Sequence, residues 1–70
     1  MRILAMRLKE LREDKDMSLV QLCKDIDGIG VNYASYSRWE NGIADIRSDQ
    51  LLILAKYFGV SADYLLGLEE

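Results

Sequence analysis

The 70-residue chain has no histidine, no proline and one cysteine, and these scarcities exclude several classes of function. Without histidine there is no His-based zinc site, no Cys–His nucleophile pair and no Ser-His-Asp triad, and one cysteine cannot form an internal disulfide. No apolar run approaches the roughly 18 residues of a membrane span, and the apolar part of residues 1–7 is too short for a secretion signal. We therefore expect a cytoplasmic protein that is not an enzyme, needs no cofactor or metal and has no membrane partner.

Chain length limits the number of domains, and net charge limits the kinds of partner. A chain of this size buries only about 60% of the surface that its unfolded form exposes, so we predict one domain over residues 1–70. Nine Lys and Arg stand against 12 Asp and Glu, a net charge of −3. This balance counts against nucleic-acid binding, because DNA affinity depends on neutralised phosphates. Any such function must therefore depend on a local arrangement of residues.

Apolar residues recur at steps of three and four along the whole chain, a spacing that predicts helices and no strands. We predict an all-α fold of five short helices, of which the first three cover residues 3–13, 19–26 and 33–41. Helices two, three and five should begin after Ser18, Asn32 and Ser61. Each of these caps has an apolar residue before it and another four residues after it, the pattern of a hydrophobic staple. Gln21 completes a capping box with Ser18. Ser48 is predicted to cap the fourth helix.

Glycine is the predicted helix terminator in this proline-free chain. Gly42 follows Asn41, Gly59 follows Phe58 and Gly67 follows Leu66, so each glycine stands just after a predicted helix, where a left-handed residue commonly ends a helix. The second helix, a glycine-containing turn at residues 27–31 and the third helix then have the order of a helix-turn-helix.

Three sequence strings carry a family resemblance. They are S-L-V-Q-L-C at residues 18–23, Y-S-R-W-E-N-G at residues 36–42, and the long string from L-L-I-L-A-K to D-Y-L-L-G at residues 51–67. At this separation they resemble the Cro and lambda-repressor-like, or Xre-type, family over about residues 7–67. The resemblance implies a compact five-helix DNA-binding domain whose third helix enters the major groove, commonly as a homodimer on a palindromic operator. It also implies a bacterial or phage transcriptional regulator, most simply a repressor.

The third helix has two different faces even without the resemblance. At about 100° per residue, one arc of about 140° collects its small and polar side chains together with one tyrosine, and the opposite side collects two aromatics and a glutamate. The first set is Tyr33, Ala34, Ser37, Arg38 and Asn41, and the second is Tyr36, Trp39 and Glu40. The first face could enter a groove, whereas the aromatics need a core.

Each residue of the first face has a possible role on DNA. Arg38 could pair with guanine O6 and N7 or bind a phosphate, and Ser37 could do either. Tyr33 could bond to a base edge or the backbone and press its ring on a thymine methyl, while Ala34 offers apolar contact only. The family resemblance implies that Asn41 contacts the DNA backbone.

Further contacts should come from outside that face. Asn32 caps the helix and could place its amide near phosphates, although helix capping alone is an equal explanation for Asn32 and for Asn41. Arg47 and Lys24 are the expected phosphate-binding cations, and Arg7 or Lys9 could add to them.

Other positions should be structural. The resemblance implies that Glu40 pairs with Arg12 from the first helix as a structural ion pair. Trp39 should fill the core, and Cys23 should be a small buried thiol where two helices approach.

The chain departs from the family at three places. Residues 43–46 (I-A-D-I) replace a basic loop, so we predict only about three to five neutralised phosphates per subunit. Leu19 stands where a phosphate-binding glutamine is common. The turn at residues 27–31 is about three residues longer than usual, and its two glycines should adopt positive φ.

The predicted dimer interface combines the fifth helix with the loop before the fourth. It consists of Tyr64, Leu68, Ile46 and Ile43, which could equally be core residues or ordinary exposed apolars. The acidic balance supports an alternative, a helix-turn-helix module that binds a protein partner, as an antitoxin or a partner subunit does. A small hydrolase is disfavoured, because the carboxylates form no convergent acid–base pair.

Overall fold

The computed structural model describes residues 2–26 and 28–69, and within them it has five helices and no strand. The helices are α1 (Arg2–Asp14), α2 (Leu19–Asp25), α3 (Tyr33–Glu40), α4 (Ser48–Phe58) and α5 (Ala62–Leu66). The predicted all-α, five-helix fold is therefore confirmed. Met1, Asp27 and Glu70 lie outside the described residues, so the prediction for the turn is assessed on residues 28–31 alone. No helix in the described part of the chain is long and apolar enough to cross a bilayer.

One hydrophobic core joins all these helices. Leu8, Leu22, Tyr36, Leu54 and Leu65 come from α1 to α5 in that order, and all of them are fully buried. Burial of each such side chain contributes about 1.5–3 kcal/mol, so every helix is held mainly by its inward face. The core places α3 against both α1 and α2, while α5 packs on α1 and α4.

Local side-chain bonds fix the starts of α2, α3 and α5. Ser18 Oγ accepts the Gln21 backbone N–H at 3.2 Å, and Gln21 Oε1 accepts the Ser18 N–H at 3.0 Å, which completes the predicted capping box. Asn32 and Ser61 likewise cap α3 and α5 with their side-chain oxygens. These three predicted starts are confirmed. Each cap bonds to an N–H within one turn, so the local sequence is enough to predict it.

The start of α4 differs from the prediction. Arg47 occupies the N-cap position and Ser48 is the first helical residue, so the prediction that Ser48 caps α4 is wrong. Gln50 Oε1 accepts the Arg47 backbone N–H at 3.1 Å. Gln50 is buried, so the bond at this helix start comes from a buried glutamine at the third helical position and not from a serine cap.

The helix ends lie close to the predicted positions. Gly59 and Gly67 are left-handed, with φ of 70° and 80°, and they end α4 and α5 as expected. The helices α2 and α3 end one residue earlier than predicted, with Ile26 and Asn41 at their C-cap positions.

Two of the four predicted interface residues pack against the core, which is the alternative that the sequence left open for them. Ile46 and Tyr64 are half-buried and pack against the core cluster. Tyr64 also lies under the Arg7 guanidinium, 4.2 Å from the centroid of its ring. Ile43 and Leu68 are 67% and 73% exposed, so they alone among the four have the exposure expected of an interface.

Candidate nucleic-acid interface

The inward face of α3 is fixed by two aromatic rings. Tyr36 and Trp39 are both buried, and their rings meet edge to face with centroids 5.7 Å apart. This aromatic contact adds about 0.5–1.5 kcal/mol to the burial of the two rings. Trp39 is therefore a core residue, as predicted, and the rotation of α3 about its own axis is set.

The opposite side of α3 is open to solvent. Tyr33, Ala34, Arg38 and Asn41 are exposed, and Ser37 is half-buried. The structure thus brings the predicted DNA-facing residues of α3 together on one side of a single helix. Tyr33 is 53% exposed at the first position of the helix, so its ring projects from the N-terminal end of this face.

The two asparagines at the ends of α3 already have structural bonds. Asn32 Oδ1 accepts the Ser35 backbone N–H at 3.0 Å, which leaves its amide nitrogen as a donor group. Asn41 Nδ2 donates to the Ser37 carbonyl at 2.9 Å and to Ser37 Oγ at 3.3 Å. Both residues fix the helix ends and remain exposed, so capping and contact with a ligand are compatible.

The long turn between α2 and α3 is anchored rather than loose. Gly28 and Gly30 have φ of 81° and 71°, the left-handed backbone predicted for the turn glycines. Ile29 lies between them and is only 4% exposed, within the core cluster. Sequence reasoning missed this anchor, although an isoleucine between two glycines in a turn is a usable signal for one.

A bidentate ion pair joins α1 to the C-terminal end of α3. Arg12 Nε lies 2.9 Å from Glu40 Oε2, and Arg12 Nη2 lies 3.0 Å from Oε1. A third guanidinium nitrogen donates to the Met17 carbonyl at 2.9 Å. The hydrogen bond to Glu40 raises the pKa of Arg12, against the opposing effect of burial. The structure therefore brings Arg12 and Glu40 together away from the open face, in a position that holds α3 in place.

This arrangement of two helices and an anchored turn agrees with comparisons to known proteins. A family model described as helix-turn-helix matches residues 8–65. The chain belongs to the Cro/lambda-repressor-like helix-turn-helix family. The resemblance seen in the sequence is therefore confirmed.

A curated relative gives a second comparison for this helix-turn-helix chain. This chain is 36% identical over 64 residues to that relative, the uncharacterised HTH-type transcriptional regulator YobD of Bacillus subtilis (strain 168). The match covers 91% of this chain and 54% of YobD, so the chain spans about half the length of that relative. No solved structure matches the chain.

The cations around the helix-turn-helix are unequally available. Arg38 on α3 and Lys24 in the last turn of α2 are exposed. Arg47 is exposed too, but its Nε lies 3.3 Å from Asp49 Oδ1. Arg7 donates to the carbonyls of Tyr64 and Glu69, which hold it at the junction of α1 and α5. The suggestion that Arg7 adds to phosphate binding is therefore not supported.

Burial controls the chemistry of two groups behind the open face. Burial raises the pKa of the Tyr36 hydroxyl, and the charge of Glu40 raises it further. Burial also raises the pKa of the Cys23 thiol, which is half-buried between α2 and α3. Both groups are therefore neutral at physiological pH and act as packing residues.

Among residues 2–26 and 28–69, no group of three or more Cys, Asp or Glu could hold a metal ion.

Proposed function

We propose that the chain is a sequence-specific, double-stranded DNA-binding transcriptional regulator that reads the major groove with α3. The observation that carries this proposal is the division of α3 into a buried aromatic face and an open face of small, amide and cationic groups. An α-helix with its side chains is about 10–12 Å in diameter, which suits a major groove about 12 Å wide. Its membership of the helix-turn-helix family supports the same function.

Base contacts are assigned to the open face of α3. Arg38 is the residue with the fork geometry that guanine O6 and N7 require. Tyr33 and Ala34 lie in the first turn of the helix, the part of a recognition helix that contacts base edges. Ser37 is held by Asn41 and can bond to a base or to a phosphate.

Phosphate contacts are assigned to the flanks of the motif. Lys24 and Arg47 supply positive charge, and the amides of Asn32 and Asn41 supply neutral donors. Backbone N–H groups at the start of α3 add the positive end of a helix dipole. This set makes up for the absence of basic residues in the loop at residues 43–46.

We propose that the regulator acts as a homodimer on a palindromic operator and represses by covering it. One module of this size contacts too few base pairs to be selective, and two-fold symmetry doubles the site. Ile43 and Leu68 keep their place in the proposed interface because they are exposed, and the exposed side chains of Ile3 and Met6, which line a surface depression with Leu66, extend its apolar surface. Ile3, Met6 and Leu66 are thus the three residues added to the proposed interface.

Selection of bound sequences from a random duplex pool tests this function. We expect a two-fold-symmetric consensus for the parent protein. Arg38→Ala should lose preference at one position per half-site, a cost of about 1–3 kcal/mol, because a bidentate guanine contact disappears. Lys56→Ala is the control, since it removes one exposed cation from α4, to which no DNA contact is assigned.

Other outcomes of the selection would change the proposal. Uniform weakening by Arg38→Ala would make this residue a phosphate contact instead of a base contact. If the folded parent retains no duplex at low salt, the DNA-binding function is wrong. That result would favour the protein-binding alternative, which the net charge of −3 supports.

A further inference from the structure

A small cleft lies between α2 and the start of α3. It has a volume of about 230 Å³. The α2–α3 cleft, as we call it, is lined by Val20, Cys23, Lys24, Val31, Asn32 and Tyr33. It is therefore built from the outer side of α2, the end of the turn and the first residue of α3.

The walls of the α2–α3 cleft are mostly apolar. Val20 is 41% exposed and Tyr33 is 53% exposed, so both present hydrophobic surface to solvent. Val31 and the neutral thiol of Cys23 are half-buried and complete the apolar wall. The lining contains no carboxylate, and Lys24 gives the cleft a positive charge. This combination suits an apolar group attached to an anion.

The α2–α3 cleft is continuous with the proposed reading face. Tyr33 belongs to both, because it is the first residue of α3 and also lines the cleft. The N-terminal residues of a recognition helix approach base edges, so the cleft opens where bases would lie. Lys24 and the Asn32 amide would then meet the phosphate beside those bases.

The size and polarity of the cleft decide what it can take. Its volume is below the roughly 300 Å³ at which pockets for small-molecule ligands begin. The methyl-bearing edge of one pyrimidine is smaller than such a ligand. Among the groups that base pairs present in the major groove, the thymine 5-methyl group is the apolar one.

We propose that the α2–α3 cleft receives the 5-methyl group of a thymine in the operator, and that Val20 is a specificity-determining residue contributed by α2. This inference rests on the proposed function, since it requires α3 to lie in the major groove. It extends the reading surface beyond α3, and it makes one base preference depend on two helices together.

Replacement of thymine by deoxyuridine tests the proposal, because it removes the methyl group and leaves base pairing intact. A duplex obtained by selection is resynthesised with each thymine replaced in turn, and the dissociation constant is measured for each. We expect about fourfold weaker binding at one thymine per half-site, as for the loss of one buried methyl-sized group. Replacement elsewhere should change binding less than twofold.

Variants then assign the effect to the cleft. Val20→Thr keeps the branched shape but makes the wall polar, and it should bring the thymine-to-uracil affinity ratio at that position to about one. Tyr33→Ala removes the opposite wall and should do the same. Leu52→Thr, at an exposed leucine of α4, is the matched control and should keep the parent ratio. Circular dichroism establishes that each variant is folded.

The outcomes separate the two levels of the proposal. A folded parent that binds no duplex overturns the proposed function and this inference with it. A parent that binds its selected duplex with a ratio near one at every thymine overturns the inference alone. A methyl effect that survives both Val20→Thr and Tyr33→Ala also overturns it, because the methyl group then lies elsewhere.

Discussion

At the scale of single residues, the buried hydroxyl of Tyr36 has no partner at full hydrogen-bonding geometry among residues 2–26 and 28–69, although the Glu40 carboxylate lies near enough to raise its pKa. An unpaired buried hydroxyl costs about 1–3 kcal/mol, whereas a phenylalanine ring would fill the same space without this cost. Tyr57 differs, because its hydroxyl donates to the Asp25 carboxylate at the surface. These two tyrosines form a matched pair, since the Tyr57 hydroxyl is hydrogen-bonded to a carboxylate and the Tyr36 hydroxyl only lies near one.

We predict that Tyr36→Phe raises the free energy of unfolding by about 1 kcal/mol, because it removes the unpaired hydroxyl. Tyr57→Phe should lower it by about 0.5–1.5 kcal/mol, because it removes a hydrogen bond. Urea unfolding followed by circular dichroism measures both. If Tyr36→Phe were the more damaging of the two, the Tyr36 hydroxyl would have to be paired in solution.

Single residues also show where sequence interpretation succeeds. The caps at Ser18, Asn32 and Ser61 were predictable, because each bonds to an N–H three residues away. Ser48 was mispredicted because serine is a preferred cap, whereas at the start of α4 Arg47 is the N-cap and its N–H is bonded by Gln50. Val20 was not recognised as a site residue either, because its position beside Tyr33 exists only after the turn has brought α2 and α3 together.

At the scale of elements, the orientation of α3 is fixed by three contacts, one before the helix, one in its middle and one at its end. Ile29 holds the turn before it, the aromatic pair holds its middle, and the Arg12–Glu40 pair holds its end. The ion pair was predicted from the family resemblance, and the buried aromatic face was predicted from helical periodicity. The Ile29 anchor followed from neither, because the lengthened turn has no counterpart in the family pattern.

We predict that Glu40→Gln lowers the free energy of unfolding by about 2 kcal/mol or more, because it leaves the largely buried Arg12 charge without its counter-charge. Thermal or urea unfolding measures the loss. Glu10→Gln is the control, since Glu10 is an exposed carboxylate of α1 that does not act on Arg12, and it should change stability by no more than about 0.5 kcal/mol.

A double variant distinguishes pairing from mere packing. Arg12→Met combined with Glu40→Met should cost less than the sum of the two single variants, because neither charge is then left unpaired. Additive losses would show that the two side chains contribute independently.

At the scale of the whole molecule, a net charge of −3 coexists with a local surface suited to DNA. Several cations are already occupied, since Arg12 pairs with Glu40, and Arg7 is bonded to backbone carbonyls. The number of helices and the family could be predicted from the sequence, because caps, periodicity and motif strings are distributed along the chain. The availability of each cation could not, because it depends on contacts between distant segments.

We therefore predict a shallow salt dependence of DNA binding. About three to five neutralised phosphates per subunit correspond to a slope of about −3 to −4.5 per subunit when log affinity is plotted against log salt concentration. Binding isotherms on a selected duplex at several salt concentrations measure it. Lys24→Ala should reduce the slope by about one, and Lys56→Ala should leave it unchanged.

A much steeper slope would contradict this distribution of charge. It would require phosphate contacts from further cations, either exposed ones such as Lys9 and Lys56 or Arg7, whose hydrogen bonds to backbone carbonyls would then have to break.

The two-sided construction of α3 has a practical consequence for engineering. The buried rings of Tyr36 and Trp39 secure the helix, while Tyr33, Ala34 and Arg38 contribute little to its stability. A combinatorial library randomised at those three positions should therefore yield mostly folded members. Under the proposed function, such a library can be screened directly for new operator preferences.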